Sequence, residues 1–255
     1  MTVAAWPAAL LERARRARHV VVFTGAGVSA ESGIATFRDA LTGLWERFDA
    51  EQLATPGAFR RDPALVWGWY EWRRMRAMRA QPNAAHRAIA ALEGGPRRLT
   101  VITQNVDDLH ERAGSRTPVH LHGSLFAPRC FDCGEPAAIS AAPTEEPDGG
   151  RRLAPPKCGR CGGLVRPGVV WFGEPLPAHA LDAAFDAAAA CDVLFSVGTS
   201  SLVHPAAQVP IAARDAGAIV VQVNPNATPL DRIADLNVSA PAALALPALL
   251  DSLRG

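Results

Sequence analysis

Val20-Val-Val-Phe-Thr-Gly-Ala-Gly-Val-Ser-Ala-Glu-Ser-Gly-Ile-Ala-Thr-Phe-Arg-Asp39 is the stretch whose reading decides the fold of this chain. β-Branched and aromatic residues from Val20 to Thr24 stop at Gly25 and Gly27, and small residues then lead toward a helix. That order reads as strand, tight turn and helix N-terminus. Glycine lets the backbone turn sharply and approach a ligand closely, and free N–H groups at the positive end of a helix favour a pyrophosphate. Gly25, Gly27 and Ala30 fit G-x-G-x-x-G/A, a pattern of modest specificity alone. The acidic residue that a dehydrogenase carries after a second strand, about 20 residues on, is missing, because residues 40–50 contain no strand-like run. The stretch is therefore expected to bind a dinucleotide, but not as an ordinary dehydrogenase does.

Working outward, residues 7–18 read as an opening helix, with Pro7 in its first turn and Leu10, Leu11 and Ala14 on one side. Residues 40–80 lack a strand pattern. Asp62-Pro63 starts a helix on which Leu65, Trp69, Trp72 and Met75 recur at helical spacing. Asn83 to Leu92 is a further helix ended by Gly94-Gly95-Pro96, and Leu99–Thr103 is a buried strand. After an interruption at 126–165, the chain resumes from Ala178 with a helix to about 190, strand Val193–Val197, a helix from about Pro205, strand Ile219–Val223 and a last helix near the C-terminus. Short apolar strands alternating with helices imply an α/β chain with a Rossmann-like, doubly wound parallel sheet. Residues 40–80 are expected as a helical insertion, and 126–165 as a small second module.

Composition narrows the function. With 255 residues and 49% hydrophobic content, one core-bearing domain with an appendage is expected. No apolar run is long enough to cross a membrane, and the N-terminus has no signal-peptide core, so a cytoplasmic address is expected. A net charge of +1 with interspersed signs offers no field for nucleic acid. Lys157, between Pro156 and Cys158, is the single lysine, which leaves Schiff-base chemistry and a Walker-type loop without a suitable residue.

Cys130-x-x-Cys133 and Cys158-x-x-Cys161, on glycine-containing turns, suit tetrahedral Zn²⁺ with four thiolates. Two disulfides compete with that reading; the absence of an export signal favours zinc. Four sulfur ligands leave no open position, so the metal is structural and holds together a loop module with no core of its own. Cys191 reads as a small buried residue.

Thr103-Gln-Asn-Val-Asp-Asp-Leu-His110 follows a strand directly, where ligands bind in open α/β sheets. Asn105 or Asp107 as a mere helix cap explains it equally well, and His110 reads as a packed histidine. In Val119-His-Leu-His-Gly-Ser124, alternation points His120 and His122 the same way, so the two could act together. Either could instead be structural. A near-neutral histidine beside a nucleotide can serve as general base on a sugar hydroxyl.

Taken in order, Gly25–Arg38, Thr103-Gln-Asn-Val-Asp107, His122-Gly-Ser124, the two Cys pairs, Val170-Trp-Phe-Gly-Glu174, Gly198-Thr-Ser200 and Asn224-Pro-Asn226 resemble the sirtuins, NAD-dependent protein-lysine deacylases, across nearly the whole chain. The resemblance implies NAD as co-substrate, a structural Zn²⁺ and acylated-lysine proteins or peptides as partners, with no nucleic acid or membrane. It carries no statement on oligomeric state. It implies an NAD-binding domain over 1–39, 81–125 and 166–255, a helical insertion over 40–80 and a zinc-binding module over 126–165. His122 would be the general base, with Asn105 and Asp107 in the catalytic set. Gly25, Ala26, Gly27, Glu31, Phe37, Arg38, Gln104, Asn105, Val106, Asp107, Gly198, Thr199, Ser200, Asn224, Pro225, Asn226 and Ala242 would line the cofactor. Val170, Trp171, Phe172, Gly173 and Glu174 resemble the strand that pairs with the substrate backbone and walls the acyl-lysine tunnel.

Tyr70, the only tyrosine, and Arg73 share a helix face. Spacing alone fits a core aromatic beside a solvated arginine as well as a site. A Tyr-x-x-Arg here resembles the pair that marks sirtuins active on succinyl-, malonyl- or glutaryl-lysine, and a guanidinium with a phenol can clamp an acyl carboxylate. Two other readings remain: a predominant deacetylase and a non-catalytic NAD- and zinc-binding module. Ala35, where many sirtuins have proline, and Asp39-Ala-Leu-Thr-Gly43 depart from the family pattern.

Overall fold

The computed structural model describes residues 6–35, 49–93, 95, 97–139 and 152–254. Pro7 presets the entry to α1 (Ala8–Arg16), which buries Leu10 and Ala14. Strand β1 (His19–Thr24) is buried along its whole length, as a central parallel strand must be. It runs into the single turn α2 (Gly27–Ala30). Next come α3 (Ala50–Leu53), α4 (Pro56–Arg61) and α5 (Pro63–Arg79). Thr55 caps α4 by accepting from the Ala58 N–H and Asp62 caps α5 by accepting from Leu65, each followed by proline at the first helical position. Helix α6 (Ala84–Glu93), β2 (Arg98–Thr103), α7 (Leu109–Ala113) and β3 (Val119–His120) follow. Antiparallel β4 (Gly123–Cys130) and β5 (Val165–Val169) stand apart. The chain then alternates through α8 (Ala178–Ala190), β6 (Val193–Val197), α9 (Val209–Asp215), β7 (Ile219–Val223), β8 (Leu236–Val238) and α10 (Ala242–Arg254).

The main sheet has the order β3-β2-β1-β6-β7-β8 with every pairing parallel. Alternation along β1 divides its side chains between two cores. Val20 and Val22 pack with Trp6, Leu10, Ile89 and Leu246, while Val21 and Phe23 pack with Ala184, Val209 and Ala213 on the other face. Ala180, Ala184 and Ala187 lie on one face of α8 and are buried, which lets that helix approach the sheet closely. Because β2 lies on one side of β1 and β6 on the other, the strand order reverses at the C-terminal end of β1. In an open α/β sheet that crevice receives the ligand.

Three expectations need correction. The Cys-bearing segment is not a coreless loop: β4 and β5 pair, and Leu125, Val165 and Val169 share a third core with Phe59, Trp67, Tyr70 and Trp171. Pro128, Pro167 and Gly168 hid these strands, and they sit at a break in the pairing register, where an alanine at 168 would put its Cβ 1.8 Å from the Ala127 carbonyl oxygen. The stripe read on α5 is too narrow, since Leu65 and Trp72 are half-buried whereas Val66, Trp67 and Tyr70 are fully buried beside Trp69 and Met75. The helix packs on more than one side because this third core wraps it. The helix expected from about Pro205 begins with a 3₁₀ turn at Ala206–Gln208. Gly94, Pro96, residues 36–48 and residues 140–151 lie outside the described residues, and with them Phe37, Arg38 and the departures at Asp39–Gly43. No helix among the described residues is long and apolar enough to cross a membrane.

Candidate active site and metal centre

At the switch point two glycine turns meet backbone to backbone. The Gly25 N–H donates to the Val197 carbonyl at 3.0 Å, and the Gly27 N–H donates to the Gly198 carbonyl at 2.8 Å. A Cβ on Gly25 would stand 2.9 Å from Thr199 Cα, and one on Gly198, whose φ is +61°, would stand 2.5 Å from the Val28 nitrogen. The glycines therefore serve close approach of the two turns. Their amides are spent on the neighbouring turn and are not the free donors that the motif suggested. Ala26, between them, has an N–H with no acceptor among the described residues.

Beyond β2 the polar residues converge. Asn105 and Asp107 are buried. The Ser29 hydroxyl donates to Asp107 Oδ2 at 3.0 Å and accepts from Asn105 Nδ2 at 3.0 Å. Asp107 Oδ1 accepts the Leu109 N–H at 3.1 Å, so one carboxylate both caps α7 and joins the site. Burial pushes the Asp107 carboxyl above its ordinary value, against the pull of the Leu109 N–H and the Ser29 hydroxyl. Gln104 Nε2 donates to Thr199 Oγ1 at 2.9 Å, linking the two arms of the crevice, and the Val106 carbonyl accepts from Leu125 at 2.9 Å.

The two histidines do not act as a pair. His120 is used at both ring nitrogens, by the Asn105 carbonyl at 3.2 Å and Glu111 Oε1 at 2.7 Å. Burial lowers its pKa, but the Glu111 carboxylate, the Asn105 carbonyl and Asp107 together more than offset this, and the net shift is upward. His122 lies past the end of β3. Its Nδ1–H donates to the Gln104 carbonyl at 3.0 Å, and its Nε2 has no hydrogen-bond partner among the described residues. Burial holds its pKa below the ordinary imidazole value. A neutral ring with Nδ1 anchored and Nε2 bare is a base ready to accept a proton.

Sequence reasoning missed Ser29, and behind it Thr24, Asn83 and His86. Thr24 Oγ1 donates to Thr103 Oγ1 at 2.9 Å and lies 2.9 Å from His110 Nε2. Asn83 Nδ2 donates to the Val28 carbonyl and to Ser32 Oγ. His86 sits 3.5 Å from Ser29 Oγ, with its ring centroid 5.0 Å from that of His110. A serine inside the glycine turn was the one available signal.

Other predicted residues fall in different places. Glu31 Oε1 accepts the Ala243 N–H at 3.0 Å, fastening α2 to the start of α10 beside buried Ala242. Asn224 Nδ2 donates to the Thr199 carbonyl at 2.8 Å and its Oδ1 accepts from Asn226, while Pro225 and Asn226 are exposed. Gly198, buried Thr199 and half-buried Ser200 follow β6 directly.

Residues 170–174 are an irregular segment and not a strand. Trp171 turns inward to 1% exposure, Phe172 turns outward, and Gly173 adopts a φ of +85°. The Val170 N–H donates to the His122 carbonyl and the Phe172 N–H to the Ala54 carbonyl, each within 2.9 Å, tying this segment to both the His122 turn and the end of α3. Glu174 pairs with buried Arg166 and accepts the Trp171 N–H at 2.8 Å. Tyr70 is buried against Trp171, and Arg73 lies with its guanidinium carbon 5.0 Å from the Trp69 ring centroid and 5.5 Å from that of Tyr70.

Some distance away, Cys130, Cys133, Cys158 and Cys161 bring four Sγ atoms within 4.8 Å of one another. Separations of 3.5 Å (Cys130–Cys161), 3.5 Å (Cys161–Cys133) and 3.8 Å (Cys133–Cys158) are far too long for disulfides, and all four thiols are free. Tetrahedral metal–sulfur bonds of about 2.3 Å place sulfurs roughly 3.8 Å apart. The set suits a structural zinc.

A model for the Sir2 family matches residues 25–205. A protein named NAD-dependent protein deacylase from Methylococcus capsulatus (strain Bath) is 61% identical over 245 residues, covering 96% of each chain. A solved structure described as a Sir2 homolog–NAD complex has a TM-score of 0.90 at 45% identity, covering 100% of this chain and 96% of that one. Another, described as a Sir2–p53 peptide–NAD+ complex, has a TM-score of 0.81 at 29% identity, covering 96% and 97%.

Proposed function

The chain belongs to the Sir2 family and is an NAD-dependent protein deacylase; we propose that it removes succinyl and malonyl groups, as well as acetyl, from protein lysines. The products are nicotinamide, O-acyl-ADP-ribose and free lysine. The observation that carries the acyl preference is Arg73 packed beside Tyr70 in an aromatic wall. A guanidinium and a phenol give an acyl carboxylate a charged partner and a hydrogen-bond donor, and they offer an acetyl methyl nothing.

NAD supplies a sugar carbon with a good leaving group. The chain's residues do the rest. His122 Nε2 takes a proton from a ribose hydroxyl, with the Gln104 carbonyl holding the ring in the required tautomer. Asn105 and Asp107, braced by Ser29, hold the nicotinamide side. The Ala26 N–H, without an acceptor among the described residues beside the crossing of Gly25, Gly27 and Gly198, would donate to the pyrophosphate. Gly198–Ser200 and Asn224–Asn226 take the adenosine side, and the substrate peptide lies along 170–174. The division into an NAD-binding domain, a helical insertion and a zinc-binding module belongs to the same proposal, the last two sharing the third core.

Purified protein assayed with NAD on matched acetyl- and succinyl-lysine peptides tests this. Succinyl turnover at least equal to acetyl turnover, lowered selectively by Arg73→Met, is expected. Preference for acetyl that Arg73→Met leaves unchanged sinks the acyl preference and makes the protein a deacetylase. O-acyl-ADP-ribose among the products, identified by mass spectrometry, separates deacylation from ADP-ribose transfer to protein.

A further inference from the structure

Trp171 has a role that neither exposure nor family pattern assigns. Its ring is almost wholly buried, and its indole N–H donates to the Tyr70 hydroxyl oxygen at 3.0 Å. Indole nitrogen only donates, so the phenol oxygen at this contact can only accept. The phenol hydrogen must then point elsewhere, since Arg73, the other side chain hydrogen-bonded to Tyr70, is likewise only a donor. Donation into an oxygen also makes its own O–H a stronger donor, because successive hydrogen bonds polarise one another.

Behind Trp171 stands Arg166, itself buried. Its guanidinium carbon lies 3.4 Å from the centre of the Trp171 ring, a stacked cation that withdraws electron density from the indole. Arg166 is held on every side: Nη1 and Nη2 reach the two Glu174 oxygens at 2.5 and 2.9 Å, Nη2 reaches the Val169 carbonyl at 2.8 Å, and Nε reaches the Pro167 carbonyl at 3.2 Å. Glu174 Oε2 in turn accepts the Trp171 backbone N–H at 2.8 Å. A single fixed chain thus runs from Glu174 through Arg166 and Trp171 to the phenol beside Arg73.

We infer that Trp171, clamped by Arg166 and Glu174, is a positioning residue that commits the Tyr70 hydroxyl to donate toward the acyl group, and so sets the preference for acyl chains ending in a carboxylate. The inference rests on the acyl preference proposed above. An acyl chain with a terminal acceptor gains a preset donor there. One without an acceptor leaves that donor unpaired in an apolar wall, which is costly.

The test removes the indole N–H while keeping an aromatic ring at position 171. In Trp171→Phe, the ratio of kcat/KM for succinyl-lysine over acetyl-lysine peptide is expected to fall about fivefold, through a higher KM for the succinyl peptide. Because Tyr70 is the only tyrosine, the Raman doublet of the chain's tyrosine reports its hydroxyl alone, and it is expected to shift away from the signature of an acceptor. If Trp171→Phe does not fold, benzothienylalanine at 171, which keeps the shape and replaces N–H by sulfur, gives the same two readouts. An unchanged ratio or an unchanged doublet in a protein that turns over succinyl-lysine overturns the role of Trp171. Lack of succinyl turnover in the unsubstituted protein overturns the acyl preference and this inference with it.

Discussion

Gly27 and Gly198 meet across the end of the central strand pair, with the Gly27 amide donating to the Gly198 carbonyl at 2.8 Å and no room for a side chain between them. A Cβ on Gly27 would stand 2.7 Å from that oxygen and 2.8 Å from Gly198 Cα, both backbone atoms that cannot swing aside. Gly27→Val is expected to force the two turns apart, lowering NAD affinity at least tenfold in calorimetry and lowering Tm. The Cys₄ cluster sits at the end of the β4–β5 pair, whose apolar residues pack in a different core, so zinc content measured by a metallochromic dye should stay at one equivalent. Unaltered NAD affinity would show that the crossing does not shape the cofactor site.

His122→Ala removes an imidazole anchored at Nδ1 with a bare Nε2, the only one so placed among the described residues of the crevice, and a fall in kcat of about 10²–10⁴-fold is expected. The pH profile carries a sign. Burial holds the His122 pKa below its ordinary value, so the base is already neutral at pH 7 and activity is lost only as pH falls through that depressed value. The acid limb of kcat/KM should therefore lie below pH 6.5. An acid limb above it would mean that another group limits the reaction.

His86 and His110 make a second pH prediction, for stability. Burial lowers His86 to about 4 and His110 to about 3, with the neighbouring Arg87 adding to the first and His86 and His120 to the second. Unfolded, both protonate as pH falls through about 6.5. Stability linked to the pair is therefore complete above that value and is lost progressively as the pH drops toward 4 and then 3. Tm measured from pH 7 to 4 should fall, and His86→Gln with His110→Gln should flatten the slope. A slope equally steep in the double variant would assign acid sensitivity to other groups.

Stripping the metal tests the third core. Cys130 and Val165 bracket the paired ends of β4 and β5, whose apolar residues pack on Phe59, Tyr70 and Trp171. Titration of the thiols with an organomercurial should release zinc, lower Tm and change the near-ultraviolet circular dichroism of the buried tryptophans, because metal binding and folding of such a module are coupled. Loss of deacylase activity should accompany it, through Tyr70 and Trp171. Full activity without zinc would show that the third core stands alone.

Legibility followed the range of the interaction. Strands Val193–Val197 and Ile219–Val223 were read to the residue, because a buried parallel strand is a short apolar run bounded by polar residues. Strand β8 has three residues, too few for any period to show. Strands β4 and β5 carry Pro128, Pro167 and Gly168, which signal a loop unless the bulge they serve is seen. His120 and His122 looked alike in sequence. They separated only when Glu111 and the Asn105 carbonyl occupied one ring and left Nε2 of the other bare. Ser29 was passed over because its partners, Asn105 and Asp107, come from a different strand end.

By itself the sequence determined the α/β class, the glycine-marked end of the first strand and the four metal-binding thiols, since each rests on residue type and local spacing. Tertiary structure alone decided which amide in the glycine turn stays open, which histidine stays unpaired and how Glu174, Arg166, Trp171 and Tyr70 join into one chain. The reason is physical: a hydrogen bond commits a donor to one acceptor, and when the two lie on separate elements only the packed fold brings them within about 3 Å.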